Sequence, residues 1–138
     1  MTNSGATDAA FEAATYRKVT ARLLPILNSG QIISHSAAAI ASGGVISSGI
    51  TNTASGLIQG GPADGSGVAI DNSRNPNGLA LANAGTIIGA VKLGPAGDTL
   101  TVTGGRITGA IVGQSGSHDV VNFSPAGSFT TNGSIANV

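Results

Sequence analysis

Apolar and polar positions alternate over short stretches of this chain, and glycines separate the stretches. From residue 28 onward, a glycine, any residue and then an aliphatic side chain recur in that order. Alternation with a period of two is typical of β-strands that bury one face. The pattern therefore predicts many short strands that begin after glycine corners. The five clearest copies have corner glycines at Gly30, Gly44, Gly56, Gly85 and Gly105 and core aliphatic residues at Ile32, Ile46, Ile58, Ile87 and Ile107.

Strands this short cannot bury a core alone, but stacked strands can. Parallel coils about 4.8 Å apart would place isoleucine on isoleucine along a narrow interior. Glycine suits the corners, where a Cβ would crowd the next coil or where φ is positive. Asn28 and Asn83 each precede a corner glycine by two residues, where stacked amides can form a ladder. The repeats favour a β-solenoid, and a glycine-rich antiparallel sandwich is the alternative.

Two segments interrupt the repeats. Residues 60–67 and 71–78 are rich in glycine, proline, asparagine and aspartate, which favour turns and disfavour strands. We expect both segments to protrude as loops instead of completing coils.

The N-terminal segment differs from the repeats in charge and in helix propensity. Five of the twelve charged residues fall between Asp8 and Arg22, and residues 8–24 contain no glycine. Thr7 or Asp8 is a plausible N-cap, and Pro25 would end a helix. The sequence therefore predicts an α-helix over 8–24 that caps the first coil, with residues 1–27 as the cap segment and 28–138 as the coils. The apolar residues available for capping are Phe11, Leu23 and Leu24.

Composition excludes several classes of protein. Apolar residues make up 41% and charged residues 9% of the 138 residues, which argues against a charged, disordered chain. The net charge of zero, with no cluster of basic residues beyond one pair, gives no electrostatic footprint for nucleic acid. The absence of cysteine excludes disulfides and thiolate metal sites. No apolar run is long enough for a membrane-spanning helix, and no signal peptide is visible at the start.

Candidate catalytic chemistry is sparse. His35 has only serine neighbours, and His118 has one adjacent acid, Asp119, so we interpret both as surface residues. Asp98 and Asp119 are 21 residues apart, about one coil, and lie at analogous turns, so we interpret them as structural corner residues. A calcium site of the nonapeptide type would need tandem copies nine residues apart, which the sequence lacks. We therefore expect no catalytic, metal or cofactor site.

Two longer motifs carry a resemblance. Residues 83–91 read Asn-Ala-Gly-Thr-Ile-Ile-Gly-Ala-Val, and residues 97–109 read Gly-Asp-Thr-Leu-Thr-Val-Thr-Gly-Gly-Arg-Ile-Thr-Gly. Residues 116–123 are similar to the start of the second motif. Together with the repeats over 28–138, they resemble the rungs of autotransporter passengers, the bacterial type V secreted proteins. The resemblance implies a right-handed parallel β-helix that is exported and displayed at the cell surface.

The expected function is structural. We expect a passenger fragment with a stalk or adhesion role, whose contact with the membrane is made only through a C-terminal barrel outside this sequence. The expected partners are a host or cell-surface ligand and further copies of the chain, which would associate through open ends of the β-helix. The alternatives are a polysaccharide-degrading β-helix enzyme and a self-assembling fibre subunit. Acidic residues grouped in a groove would distinguish the enzyme.

Overall fold

The protein is built from short β-strands that stack in six successive coils. The computed structural model describes residues 2–3, 6–7, 11–13, 25–42, 49–126 and 128–138. Each coil contributes three strands, and each strand is two to four residues long. The strands of coils 1 to 3 are β1 Thr2–Asn3, β2 Ala6–Thr7, β3 Phe11–Ala13, β4 Ile26–Asn28, β5 Gln31–Ser34, β6 Ile40–Ser42, β7 Ile50–Asn52, β8 Leu57–Gly60 and β9 Val68–Asp71. Those of coils 4 to 6 are β10 Ala80–Asn83, β11 Thr86–Ile88, β12 Ala90–Lys92, β13 Thr99–Val102, β14 Gly105–Thr108, β15 Ile111–Val112, β16 Val120–Phe123, β17 Phe129–Thr131 and β18 Ile135–Ala136.

The strands form three parallel sheets of six strands each. The first strand of every coil joins sheet A, the second joins sheet B and the third joins sheet C. Each strand therefore pairs with the equivalent strand one coil away. This arrangement is a three-sided parallel β-helix, as the glycine-aliphatic repeats predict, and it differs from the antiparallel sandwich. The right-handed sense that the resemblance implies stays a prediction.

One inward-facing position in each sheet supplies most of the core. In sheet A, Ile26, Ile50, Leu81 and Leu100 succeed one another in register. In sheet C, Ile40, Ile70, Val91 and Ile111 do the same. All eight side chains are buried. Aliphatic side chains on aliphatic side chains give a narrow apolar interior, and burying each one stabilises the fold by about 1.5–3 kcal/mol.

The prediction of a helix over 8–24 is wrong at Phe11–Ala13, and over its other residues it stays a prediction. Phe11–Ala13 form strand β3, which pairs in parallel with Ile40–Ser42 of coil 2. The remainder of the predicted helix, with Leu23 and Leu24, lies outside the described residues, so a helical cap is not shown. Strand pairing explains the error, because β3 satisfies backbone groups at the edge of coil 2, and this tertiary gain outweighs local helix propensity.

The two glycine- and asparagine-rich segments are irregular connections, but they lie against parts of the β-helix two coils further along the chain. Residues 61–67 link β8 to β9, and Gly65 lies against Thr108 of coil 5. Residues 72–79 link β9 to β10, and the Gln114 side chain donates a hydrogen bond to the Ser73 carbonyl at 2.7 Å. Both connections therefore extend along the side of the β-helix. The sequence predicts loops that protrude, and that expectation did not include these contacts.

Candidate functional site

The predicted isoleucine positions form a ladder along sheet B. Ile32 pairs in register with Ile58, Ile58 with Ile87, and Ile87 with Ile107. All four are buried, and the last three are completely inaccessible. Their role is therefore to hold the coils together, and none is available to a ligand. Ile46 lies outside the described residues.

Corner glycines stack next to this ladder. A Cβ on Gly85 would collide with the carbonyl oxygens of Thr53 and Gly56, and one on Gly105 would collide with that of Gly85. Gly105 also has a φ of +77°, a conformation that side chains disfavour. The corners are so closely packed that only glycine fits at these positions. Gly30 is half-buried at the corresponding corner of coil 2, and Gly44 lies outside the described residues.

An asparagine ladder seals the corner between sheets A and B. The Asn28 amide nitrogen donates to the Asn52 side-chain oxygen at 2.9 Å, and the Asn52 nitrogen donates to the Asn83 oxygen at 2.8 Å. All three side chains are essentially inaccessible to solvent. Each amide nitrogen also donates to backbone carbonyls; Asn52, for example, donates to Gly56 and Thr86. These bonds satisfy buried polar groups and fix the register of three consecutive coils.

Sequence reasoning identified two members of this ladder and missed Asn52. Asn28 and Asn83 precede their corner glycines by two residues, whereas Asn52 precedes Gly56 by four. A different signal includes all three, because each asparagine follows an aliphatic residue by two positions at the end of a sheet A strand.

A second buried polar network lies at the corner between sheets C and A, and Asp98 is its centre. The Asp98 carboxylate accepts hydrogen bonds from the backbone N–H groups of Leu79 at 2.7 Å and Gly94 at 2.6 Å. It also accepts one from the Asn72 side chain at 3.0 Å, and Asn75 donates in turn to Asn72. The carboxylate thus accepts three hydrogen bonds, and only 1% of the residue is exposed. Its role is therefore to stabilise the turn.

Asp119 repeats the role of Asp98 one coil later. Its carboxylate accepts the Asp98 backbone N–H at 2.8 Å and the Ser117 hydroxyl at 2.6 Å. The residue immediately before a sheet A strand has the same role in three successive coils: Leu79, Asp98 and Asp119. The Leu79 N–H donates to the Asp98 carboxylate, and the Asp98 N–H donates to the Asp119 carboxylate, so the same type of bond links coils 4, 5 and 6. Asp98 and Asp119 are thus adjacent, as their spacing predicts, and both serve as structural corner residues.

The other titratable groups are dispersed. His35 and His118 are exposed and lie on different coils. The exposed Asp64 carboxylate accepts hydrogen bonds from the Ser66 hydroxyl and from the Ser66 backbone N–H. These bonds lower the pKa of the Asp64 carboxyl below its ordinary value. Asp71 accepts hydrogen bonds from the backbone and hydroxyl of Ser73. Within the described ranges, no three histidine or acidic side chains come together as metal ligands would.

Coil 6, the last coil that the structure describes, borders a groove. A shallow groove of about 500 Å³ lies there, between the connection that carries Gln114 and His118 and the last two residues, Asn137 and Val138. Asp119 also borders this groove, but its hydrogen bonds to Ser117 and to the Asp98 backbone hold it in the corner. In the part of the chain that the structure describes, no helix is long and apolar enough to cross a bilayer.

No protein-family model matches the chain, and no curated protein or solved structure shows significant similarity to it. The similarity to autotransporter passengers therefore rests on the sequence motifs alone.

Proposed function

We propose that this chain is a structural β-helical module, displayed at a bacterial surface in the manner of an autotransporter passenger, with a stalk or adhesion role. One observation carries the structural role. The buried asparagine and aspartate side chains of the described coils are used in coil-to-coil and corner hydrogen bonds, as in the Asn28–Asn52–Asn83 ladder. A module built this way is a rigid rod whose hydrogen-bonding side chains face the interior.

The enzyme alternative has less support. A glycosidase needs two carboxyl groups that face a sugar in a cleft, one as acid and one as base or nucleophile. Asp119 is the one carboxylate beside the groove in the described chain, and its oxygens already accept two hydrogen bonds. The sequence also has no tryptophan and one tyrosine, so aromatic sugar platforms are scarce.

Surface display can be measured directly. The chain would be placed between a signal peptide and an autotransporter barrel, and intact cells would be treated with protease. We expect display of a protease-resistant module, because the stacked coils leave few flexible sites. An Ile87→Asp variant should be degraded, because the charge lies in the core, whereas the matched Ile88→Asp variant on the outer face of the same strand should stay resistant.

Two results would count against the proposal. Retention of the folded chain inside the cell would contradict the display role. Release of reducing ends from polysaccharides by the purified chain, abolished in an Asp119→Asn variant that still folds, would support the enzyme instead.

A further inference from the structure

Two asparagines of this chain, Asn77 and Asn132, are followed directly by glycine, and both are exposed. An Asn–Gly pair can react with itself, because glycine has no Cβ to keep its backbone nitrogen away from the asparagine side chain. The asparagines of the ladder and of the Asp98 corner are buried, and each is followed by serine, threonine, alanine or proline. The reactive type of pair is therefore confined to the surface of the described coils.

The pair in the 72–79 connection has both of its reacting groups free. The Asn77 backbone N–H donates to the Asn75 side-chain oxygen at 3.1 Å. Among the described residues, however, neither the Asn77 side-chain amide nor the Gly78 backbone N–H has a hydrogen-bond partner. No hydrogen bond of either group therefore has to break before the Gly78 nitrogen approaches the Asn77 side chain.

The pair in coil 6 is held more firmly. The Gly133 backbone N–H donates to the Thr131 hydroxyl at 3.4 Å. A Cβ on Gly133 would collide with the Gly109 carbonyl oxygen, so the backbone at this corner is packed directly against coil 5. Reaction at Asn132 therefore requires the corner to open first, with loss of the Thr131 hydrogen bond.

We propose that Asn77 is a site of spontaneous modification in the folded protein, at which the side-chain amide is converted to a carboxylate through a cyclic imide. The deprotonated Gly78 nitrogen attacks Cγ of Asn77 and forms a bond to it. The bond from Cγ to the amide nitrogen breaks, and ammonia leaves after solvent has returned the proton that Gly78 lost. This inference does not depend on surface display.

Water then opens the imide in one of two ways. Cleavage of the new bond from Cγ to the Gly78 nitrogen gives aspartate at position 77 with an unchanged main chain. Cleavage of the original peptide bond gives isoaspartate instead, in which the main chain passes through Cβ and Cγ and is one atom longer. Both products carry a carboxylate where the unmodified chain has a neutral amide.

The isoaspartyl product should disturb the Asp98 corner. Gly78 packs against coil 5, since a Cβ on it would lie 2.6 Å from the Gly97 carbonyl oxygen. The next residue, Leu79, donates its N–H to the Asp98 carboxylate at 2.7 Å. An additional main-chain atom directly before these two contacts displaces them. The aspartyl product keeps the main chain and adds a charge only at an exposed position, so it should leave the corner intact.

Peptide mass spectrometry of the folded chain, sampled over time in mildly alkaline buffer, measures the reaction. We expect conversion of amide to acid at Asn77 to be at least about tenfold faster than at Asn132, because an opening cost of about 1.4 kcal/mol slows a reaction tenfold. Asn122 is exposed but is followed by phenylalanine, so it is the internal control and should stay unmodified. In the urea-unfolded chain, the two Asn–Gly pairs should react at similar rates.

Two variants complete the test. Asn77→Gln keeps an amide but requires a larger ring, so it should fold normally and lose the conversion at position 77. Asn77→Asp reproduces the aspartyl product. Hydrogen exchange at the Leu79 amide should be at least about tenfold faster in the purified isoaspartyl form than in the unmodified chain, whereas Asn77→Asp should change it by less than about twofold.

Three outcomes would overturn the proposal. A folded chain that keeps Asn77 intact, while the unfolded chain reacts, would show that the fold protects this position. Equal rates at Asn77 and Asn132 in the folded chain would show that the fold does not select between the pairs. An isoaspartyl form with unchanged exchange at Leu79 would separate the modification from the Asp98 corner.

Discussion

At the scale of single residues, polar side chains inside this β-helix act as connectors between coils. Asn52 donates to a side-chain oxygen and to backbone carbonyls, and it accepts from Asn28, so its amide group is fully used. Asp98 accepts three hydrogen bonds and its own N–H is taken by Asp119. A buried amide or carboxylate with all its partners present is compatible with an apolar core, whereas one with a partner missing is costly.

Replacing Asn52 by aspartate tests the asparagine ladder. The carboxylate cannot donate to Asn83 or to the carbonyl of Thr86, so Asn52→Asp should lower the free energy of unfolding by about 1–3 kcal/mol at neutral pH. Burial next to carbonyl oxygens raises the pKa of the new carboxyl above its unfolded value, so the loss should diminish as pH falls. Urea unfolding at several pH values measures this. Asn122→Asp, at an exposed position of β16, should have little effect, and equal losses in both variants would argue against the ladder.

Thr108 allows the reverse test, in which an unpaired buried polar group is removed instead of created. Its hydroxyl is buried under the 61–67 connection and has no hydrogen-bond partner. Thr108→Val removes the unpaired group with little change of shape, so it should raise the free energy of unfolding by about 1–2 kcal/mol. Thr101→Val, at a half-buried position of the neighbouring strand β13, is the control and should have a smaller effect. A destabilised Thr108→Val variant would show that the hydroxyl has a partner in solution.

At the scale of elements, the strands are short because each side of the β-helix is narrow. Backbone hydrogen bonds between parallel strands set the distance between coils, and the corners must fit within that distance. In coil 4, a single residue, Gly89, separates β11 from β12, and its φ of +114° makes the turn possible. Stability at this scale therefore depends on the corners as much as on the strands.

Adjacent glycines at one corner provide a matched pair of variants. Gly105→Ala should cost at least about 1–2 kcal/mol for its positive φ, and the collision with Gly85 adds to that cost. Gly104→Ala places its Cβ in ordinary van der Waals contact with the Ala84 oxygen, 3.7 Å away, and should be nearly neutral. Thermal unfolding of the two variants measures the difference. Equal melting temperatures would mean that the corner relaxes easily.

The N-terminal elements show where local sequence signals fail. Residues 8–24 have the composition and capping residues of a helix, yet Phe11–Ala13 pair as a strand with coil 2. A short segment follows its local propensity only when no tertiary partner competes, and here the edge of coil 2 offers unpaired backbone groups.

At the scale of the whole molecule, stability should vary along the axis. The strands of each coil pair only with those of adjacent coils, so the described coils form a nearly one-dimensional stack, to which the 61–67 and 72–79 connections add contacts two coils away. Coils 2 to 5 have strands paired on both sides, while those of coil 6 have a described partner on one side. End coils of such a stack open at lower free energy than central ones.

Hydrogen exchange checks this gradient. At low protein concentration, the amides of β11 should exchange slowest and those of β17 and β18 much faster. The reason is that opening coil 6 disrupts one layer of contacts, whereas opening coil 4 disrupts two. Mass spectrometry after proteolysis resolves these segments. Uniform protection along the chain would indicate that the β-helix unfolds only as a single unit.

The sequence by itself determined the solenoid architecture, because the signals for it are local. A corner glycine followed by an inward aliphatic residue specifies a turn and a buried strand, whatever the distance to the next coil. For this reason, Ile58, Ile87 and Ile107 could be placed in the core from their motifs. Only the tertiary structure decided which coils meet in which register, because coil length varies. Successive ladder partners are 24, 31, 19 and 21 residues apart, so no fixed period connects them. Asn52 in the ladder and β3 as a strand both depend on contacts across these unequal intervals, which local sequence does not contain.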